Sequence, residues 1–342
     1  MYASLLFFMY TFLGSLFLST GIFFLYTHYN TLNFDFFLHS SLERIPTFYL
    51  PTIFCTFWIG FSIKLPTMPL HLWLPEAHVE APTIGSVILA AILLKLGGFG
   101  MLRVIVPISH DLALNMRIIP MLFCIISVFY ASFLAFRHFD LKKIIAYSSI
   151  LHMNLSALAF STESKIALVG AIISMLCHSV VSSALFFTAG FLYEKFKTRN
   201  LIYYSSLLQQ SSYLYTFFFF SPPSNMAVPF SIAFTGESLL LCGLFQSSLI
   251  VFYLTIFSLF FSGLFSFTSM YRLLYSNTIS NYKIIQYSLV NQVYISSFST
   301  NNTLSFSITE TVILSLLLSV NVLFFFFREL FIENVYNFIA LL

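Results

Sequence analysis

The sequence predicts an all-α, polytopic membrane protein with about nine transmembrane helices in a single membrane domain over residues 1–342. Three observations carry this prediction. Hydrophobic residues make up 59% of the chain and the mean hydropathy is +0.91. Charged residues are only 8%, against about 25% in a typical soluble domain. Apolar stretches recur along the whole chain, each able to supply the roughly 20 residues that cross a 30 Å hydrocarbon core. The first residues already belong to a full-length span and lack the basic start and small-residue cleavage site of a signal peptide. A net charge of +3 gives no reason to expect nucleic acid as a partner. Cys55, Cys124, Cys177 and Cys242 are scattered in apolar segments without C-x-x-C spacing, so they read as buried thiols.

The expected spans are 5–27, 48–74, 84–106, 117–136, 142–161, 166–193, 211–246, 248–275 and 309–328. In the second span, Pro66 and Pro69 follow Lys64. Each proline deprives the carbonyl four residues earlier of its helical donor, so Ser62 and Leu65 are expected to expose acceptors. The seventh stretch is too long for one straight helix. Pro222, Pro223 and Pro229 divide it into two half-helices joined by unwound chain. Irregular backbone at membrane depth persists only inside protein or beside a wet cavity, and paired broken helices mark ion sites in transporters. Basic residues cluster after spans four, six and eight: Arg137, Lys142 and Lys143; Lys195, Lys197 and Arg199; Arg272 and Lys283. These ends are expected on the cytoplasmic or matrix side, together with the N-terminus. Residues 276–308, rich in Ser, Asn and Thr, read as a polar surface loop.

A charge at bilayer depth costs about 3 kcal/mol, and ion or proton pathways are the usual reason for it. Lys95 lies about 16 Å into its span, too deep to snorkel. Desolvation disfavours charge, which makes a lysine there a candidate for proton exchange. A lysine permanently paired with an acid is the structural alternative. Lys64 lies beside the broken backbone, or alternatively reaches the interface. Glu237, in Thr235-Gly-Glu-Ser238, is the one acid well inside a span and is otherwise a fixed counter-ion. His152 and His178 lie inside spans five and six, accompanied by Ser149, Asn154, Ser179, Ser182 and Ser183. They could relay protons between Lys95 and Glu237 by tautomer exchange, or simply pack. His71, His78, Glu76 and Glu80 follow the second break; Pro75 argues against a metal pair on one helix face. No metal site is expected. With no G-x-G-x-x-G, P-loop or haem-attachment motif, no redox cofactor is expected in this chain.

Several segments resemble a known family. They are Lys64-Leu-Pro with His71-Leu-Trp-Leu-Pro-Glu-Ala-His-Val-Glu-Ala-Pro82, Gly85 to Arg103 around Lys95, Asp140 to Met153, and Ala227-Val-Pro with Gly236-Glu-Ser238. They are similar to the chain 4 family of mitochondrial NADH–ubiquinone oxidoreductase, respiratory complex I. The longest motif is shared with bacterial complex I and Mrp-type cation antiporters. The resemblance covers about residues 1–275. It implies an antiporter-like fold of two inverted five-helix repeats, each with one broken helix. Residues 1–107 would be the remainder of the first repeat and 117–275 the second, followed by the 276–308 loop and a C-terminal helix and tail at 309–342. Lys64, Lys95, His152, His178 and Glu237 then match the family's proton-translocation residues. NAD, FMN, iron–sulfur clusters and ubiquinone are expected in partner subunits, and the location is the inner mitochondrial membrane. Partners would be other membrane-arm subunits, including neighbouring antiporter-like chains, and lipid. One departure stands out. The family has about five further helices before the point matching residue 1, including a glutamate that pairs with the lysine at the Lys64 position. A separate polypeptide is therefore expected to supply them. A stand-alone cation/proton antiporter subunit and a structural membrane scaffold are the alternatives.

Overall fold

The computed structural model describes residues 1–33, 48–110, 114–162, 164–201, 212–229, 231–274 and 307–340. All its regular elements are helices, which we number α1 (Tyr2–Tyr29), α2 (Leu50–Lys64), α3 (Trp73–Glu80), α4 (Thr83–Ile108), α5 (Leu114–Arg137) and α6 (Leu141–Phe160). There follow α7 (Lys165–Phe196), α8 (Ser212–Asn225), α9 (Ile232–Ser247), α10 (Leu249–Leu274), α11 (Ile308–Phe326) and α12 (Arg328–Ala340). Six described helices are long and apolar enough to cross a membrane: α1, α4, α5, α7, α10 and α11. The chain is an all-helical polytopic membrane protein. The other three expected spans fall on α2–α3, α6 and α8–α9. The expected tail after 328 is a further helix, α12. The expected polar loop at 276–308 lies almost wholly outside the described residues.

α6 shows why hydropathy alone undervalues a span. Every one of its residues except Lys143 is buried. A helix enclosed by protein on all sides need not be apolar on all sides, and α6 carries Ser148, Ser149, His152, Asn154 and Ser156 inward. α1 is the opposite case. It packs on α2 through Gly14 and Gly21 and leaves Phe8, Met9, Phe12 and Phe23 exposed, as a lipid-facing wall requires.

Small residues set the helix spacings. A Cβ on Gly236 of α9 would meet Ser174 N of α7 at 2.8 Å and Ser174 Cα at 3.0 Å, and Gly170 and Gly243 are closer still to the facing backbone. Side chains larger than hydrogen would push α7 and α9 apart. On α4, Gly97 faces Lys64 Cβ and Gly98 faces Met175, so α4 lies between α2 and α7. α4 also holds two π-helical turns, Leu89–Leu93 and Met101–Ile105, flanking the α-helical Leu94–Gly100 segment.

The basic loops meet at one end. Leu141 N donates to Arg199 O at 3.0 Å and Leu201 N to Phe139 O at 2.9 Å. The Arg272 guanidinium lies 4.9 Å from the Phe139 ring centre. The α5–α6 connection, the residues just after α7 and the end of α10 thus share a face.

Candidate functional site: a buried polar line

Both expected breaks are present. α2 ends at Lys64, and the helix resumes at Trp73. The Ser62 carbonyl, expected to be exposed, is instead taken by Thr67 N at 3.0 Å. The chain turns back tightly enough after Pro66 to supply its own donor. Three side chains tie the break down: Trp73 Nε1 donates to Ile63 O at 2.9 Å, Asn154 Nδ2 donates to Pro66 O at 2.9 Å, and Ser127 Oγ accepts from Met68 N at 2.7 Å. The second break separates α8 from α9 at 226–231, where Ala227 has φ 53°. α9 restarts with Ser231 as its N-cap, accepting from Phe234 N.

Four of the five expected residues form one line. Lys95 Nζ donates to Ala90 O at 2.6 Å, a carbonyl in the first π turn, and lies 2.9 Å from His178 Nδ1. A π turn alters the carbonyl register of its helix, and here the ammonium occupies one of those carbonyls. The His178 and His152 ring centres are 5.7 Å apart. His152 Nδ1 is 3.1 Å from Glu237 Oε1. The line runs Lys95, His178, His152, Glu237 across α4, α7, α6 and α9. Between the imidazoles and the carboxylate is a cavity of about 10 Å³, lined also by Ser174, Ser224 and Asn225. That is room for about one water molecule. The Nε2 atoms of His152 and His178 are buried and have no protein partner.

Lys64, the fifth residue, is not in this line. It is half-buried at the end of α2 against Gly97, with no hydrogen-bonding or ionic partner among the described residues. The expected companions also divide. Asn154 holds the α2–α3 break, whereas Ser149, Ser179, Ser182 and Ser183 bond to carbonyls of their own helices. Their place around the cavity is taken by Ser174, Ser224 and Asn225. Ser224 and Asn225 follow Pro222-Pro223 at the expected second break, whereas Ser174 carried no such signal. His78 stacks on Phe186 at 4.3 Å, and His71 meets Tyr130 edge-on at 5.0 Å. Glu76 pairs with Lys143 at 3.1 Å. Among the described residues no group of three or more His, Cys, Asp or Glu side chains could hold a metal ion.

Two broken helices and a row of ionisable groups buried between spans define the class: a polytopic membrane protein built around an intramembrane polar line. Residues 1–262 match the family described as NADH:quinone oxidoreductase/Mrp antiporter, TM. The chain is 37% identical over 276 residues to NADH-ubiquinone oxidoreductase chain 4 of Acanthamoeba castellanii, covering 80% of this chain and 55% of that one. It is 34% identical over 286 residues to NADH-quinone oxidoreductase subunit M of Rickettsia conorii, covering 84% and 58%. The chain belongs to this antiporter-like family of complex I membrane subunits. It spans about half the length of the curated relatives it matches. A chain of respiratory complex I from Thermus thermophilus shares the fold, with a TM-score of 0.84 at 22% identity over 99% of this chain and 68% of that one.

Proposed function

We propose that this chain is a proton-translocating membrane subunit of an NADH:quinone oxidoreductase in the inner mitochondrial membrane. The observation that carries the reading is the continuous line from Lys95 to Glu237. Its polarity suits a relay. A protonated Lys95 donates to His178 Nδ1, which leaves His178 Nε2–H facing the cavity. A water there accepts that proton and gives one to His152 Nε2. His152 releases its Nδ1 proton to the Glu237 carboxylate. One proton has then moved from Lys95 to Glu237, and both imidazoles have exchanged tautomers. Resetting requires Lys95 to be reloaded and Glu237 emptied.

Residues 1–107 would be the remainder of the first inverted repeat and 117–275 the second, with α2–α3 and α8–α9 as their broken helices, and the basic end would face the matrix. Electron transfer, with NAD, FMN, iron–sulfur clusters and ubiquinone, would belong to partner subunits. Lys64 would belong to the first repeat. Its charge would be balanced by a carboxylate from a helix outside the described residues. Glu237→Gln tests the reading, because it keeps the shape and hydrogen bonding but does not titrate. The variant complex should assemble and pump fewer protons per NADH oxidised. Normal pumping would reduce Glu237 to a structural partner. Co-purification of the chain with NADH-oxidising subunits separates this reading from a stand-alone antiporter.

A further inference from the structure

Between α1, α2 and α5 lies a groove of about 430 Å³. That is within the ~300–1,000 Å³ range of small-molecule sites. Its mouth is formed by Leu13 of α1 and by Met116 and Ile119 of α5, which are exposed, and its floor by Phe54 and Thr67, which are buried. From Phe54 to Lys64, α2 rises about 15 Å. That is one leaflet's share of a ~30 Å hydrocarbon core. The inner end of the groove abuts the α2–α3 break at residues 67–70. Its outer end lies at the start of α5, away from the basic end where α5 leads into α6.

The walls can hold nothing polar. The backbone donors of the break are already used: Thr67 N bonds to Ser62 O at 3.0 Å, Met68 N to Ser127 Oγ at 2.7 Å and Leu70 N to Thr67 O at 2.7 Å. Pro69 and Pro120 have no N–H. Water would find no partners there, and an empty groove would forfeit dispersion contacts along every wall. The occupant must be apolar, and a further helix is a poor fit. Helix seams in this protein are built on small residues: Gly14, Gly21 and Gly60 between α1 and α2, and Gly170, Gly236 and Gly243 between α7 and α9. Among the described residues no Gly, Ala or Ser lines the groove; its walls are large side chains such as Phe17, Trp58 and Phe123. A flexible chain of methylenes can thread between these, whereas a helix backbone cannot approach them.

We propose that this groove is a phospholipid site: one acyl chain of a lipid in the leaflet opposite the basic end lies along α2 and ends against residues 67–70. The filled groove holds the first break between the tail on one side and Ser127 of α5 on the other. The lipid is thus a structural ligand of the broken helix that ends at Lys64. The site is independent of the proton-translocation reading.

Photo-crosslinking of the assembled complex tests the site. The probe is a phosphatidylcholine with a diazirine near the end of one acyl chain. It is introduced while the complex is in detergent, chased in vesicles with excess unlabelled phosphatidylcholine, and irradiated; mass spectrometry locates the adducts. Phe12 and Leu16 are the control, since they are exposed on α1 at the depth of Leu13 and Phe17. Adducts at residues 67–70 should survive the chase severalfold better than those at Phe12 and Leu16. Cys55→Trp, which fills the groove from the α2 wall, should bring the groove adducts down to the control level and leave the control unchanged. If both sets wash out together, lipid only bathes the groove and there is no site. If residues 67–70 take no lipid adduct, another chain or a quinone tail fills the groove, which also overturns the proposal. Adducts that persist equally in Cys55→Trp arise elsewhere and overturn it too. Should Cys55→Trp fail to assemble, Ile119→Trp closes the groove from the exposed α5 wall, with the same outcomes.

Discussion

Gly236→Ala adds one methyl group, changes no charge, and should still slow proton transfer. The new Cβ would lie 2.8 Å from Ser174 N and 3.0 Å from Ser174 Cα. Both are backbone atoms of α7, so no side chain can turn away. Ordinary contact begins at 3.4 Å, so α9 must move from α7 by about 0.6 Å. Overpacking of this kind costs about 1–3 kcal/mol. Glu237 is the next residue on α9 and is 3.1 Å from His152 on α6. The same displacement, where it falls along the Glu237–His152 direction, would stretch that contact to at most about 3.7 Å, beyond hydrogen-bonding distance. A misplacement of about 1 Å can slow a positioned reaction by about 10²-fold, so a loss of about tenfold in the transfer step is the expectation. The assay is proton uptake driven by NADH oxidation in reconstituted vesicles, normalised to assembled complex. Wild-type proton yield from a normally assembled Gly236→Ala complex would refute the claim that the α7–α9 seam sets the Glu237 geometry.

Three further outcomes are expected. Asn154→Leu leaves the buried Pro66 carbonyl without its 2.9 Å donor, costing about 1–3 kcal/mol; unchanged thermal stability of the subunit would show that the break does not need this tie. An experimental structure of the assembled complex should place a carboxylate from a helix outside the described residues beside the Lys64 side chain, directly or through one water; lipid alone at that face would rule out a partnering helix. His138 lies on the α5–α6 loop outside the spans, stacked on Tyr147 at 5.3 Å, where burial and then Lys143 hold its imidazole below its ordinary value. The folded state therefore favours neutral His138, so its stabilising contribution is full above about pH 6.5 and is lost as pH falls below that. His138→Gln should flatten the acid-side fall in thermal stability, and an identical slope in both proteins would contradict this.

The parts of the site legible in the sequence are those that break a rule of the bilayer. Lys95 and Glu237 are charges where charges are costly, and Pro66, Pro69, Pro222 and Pro223 are breaks where helices should continue. Hydropathy reports depth and says little about direction around a helix axis. For that reason Ser149 and Ser174 look alike in sequence. Both hydroxyls donate to carbonyls of their own helices, Ser149 to Ile145 O and Ser174 to Ala171 O, but only Ser174 lines the cavity. The π turns beside Lys95 left no trace, because Leu89–Leu93 is an ordinary apolar run. The Ser62 carbonyl was misread because the donor from Thr67 depends on a tight turn that proline content alone does not specify.

The central claim is that protons cross through Lys95, His178, His152 and Glu237, and the most direct measurement is the number of protons translocated per NADH oxidised by a Lys95→Met complex. Methionine keeps the approximate length of the side chain and removes the titrating group that lies 2.9 Å from His178 Nδ1. The account predicts normal assembly with a clearly reduced proton yield. A normally assembled Lys95→Met complex with an unchanged yield would contradict it.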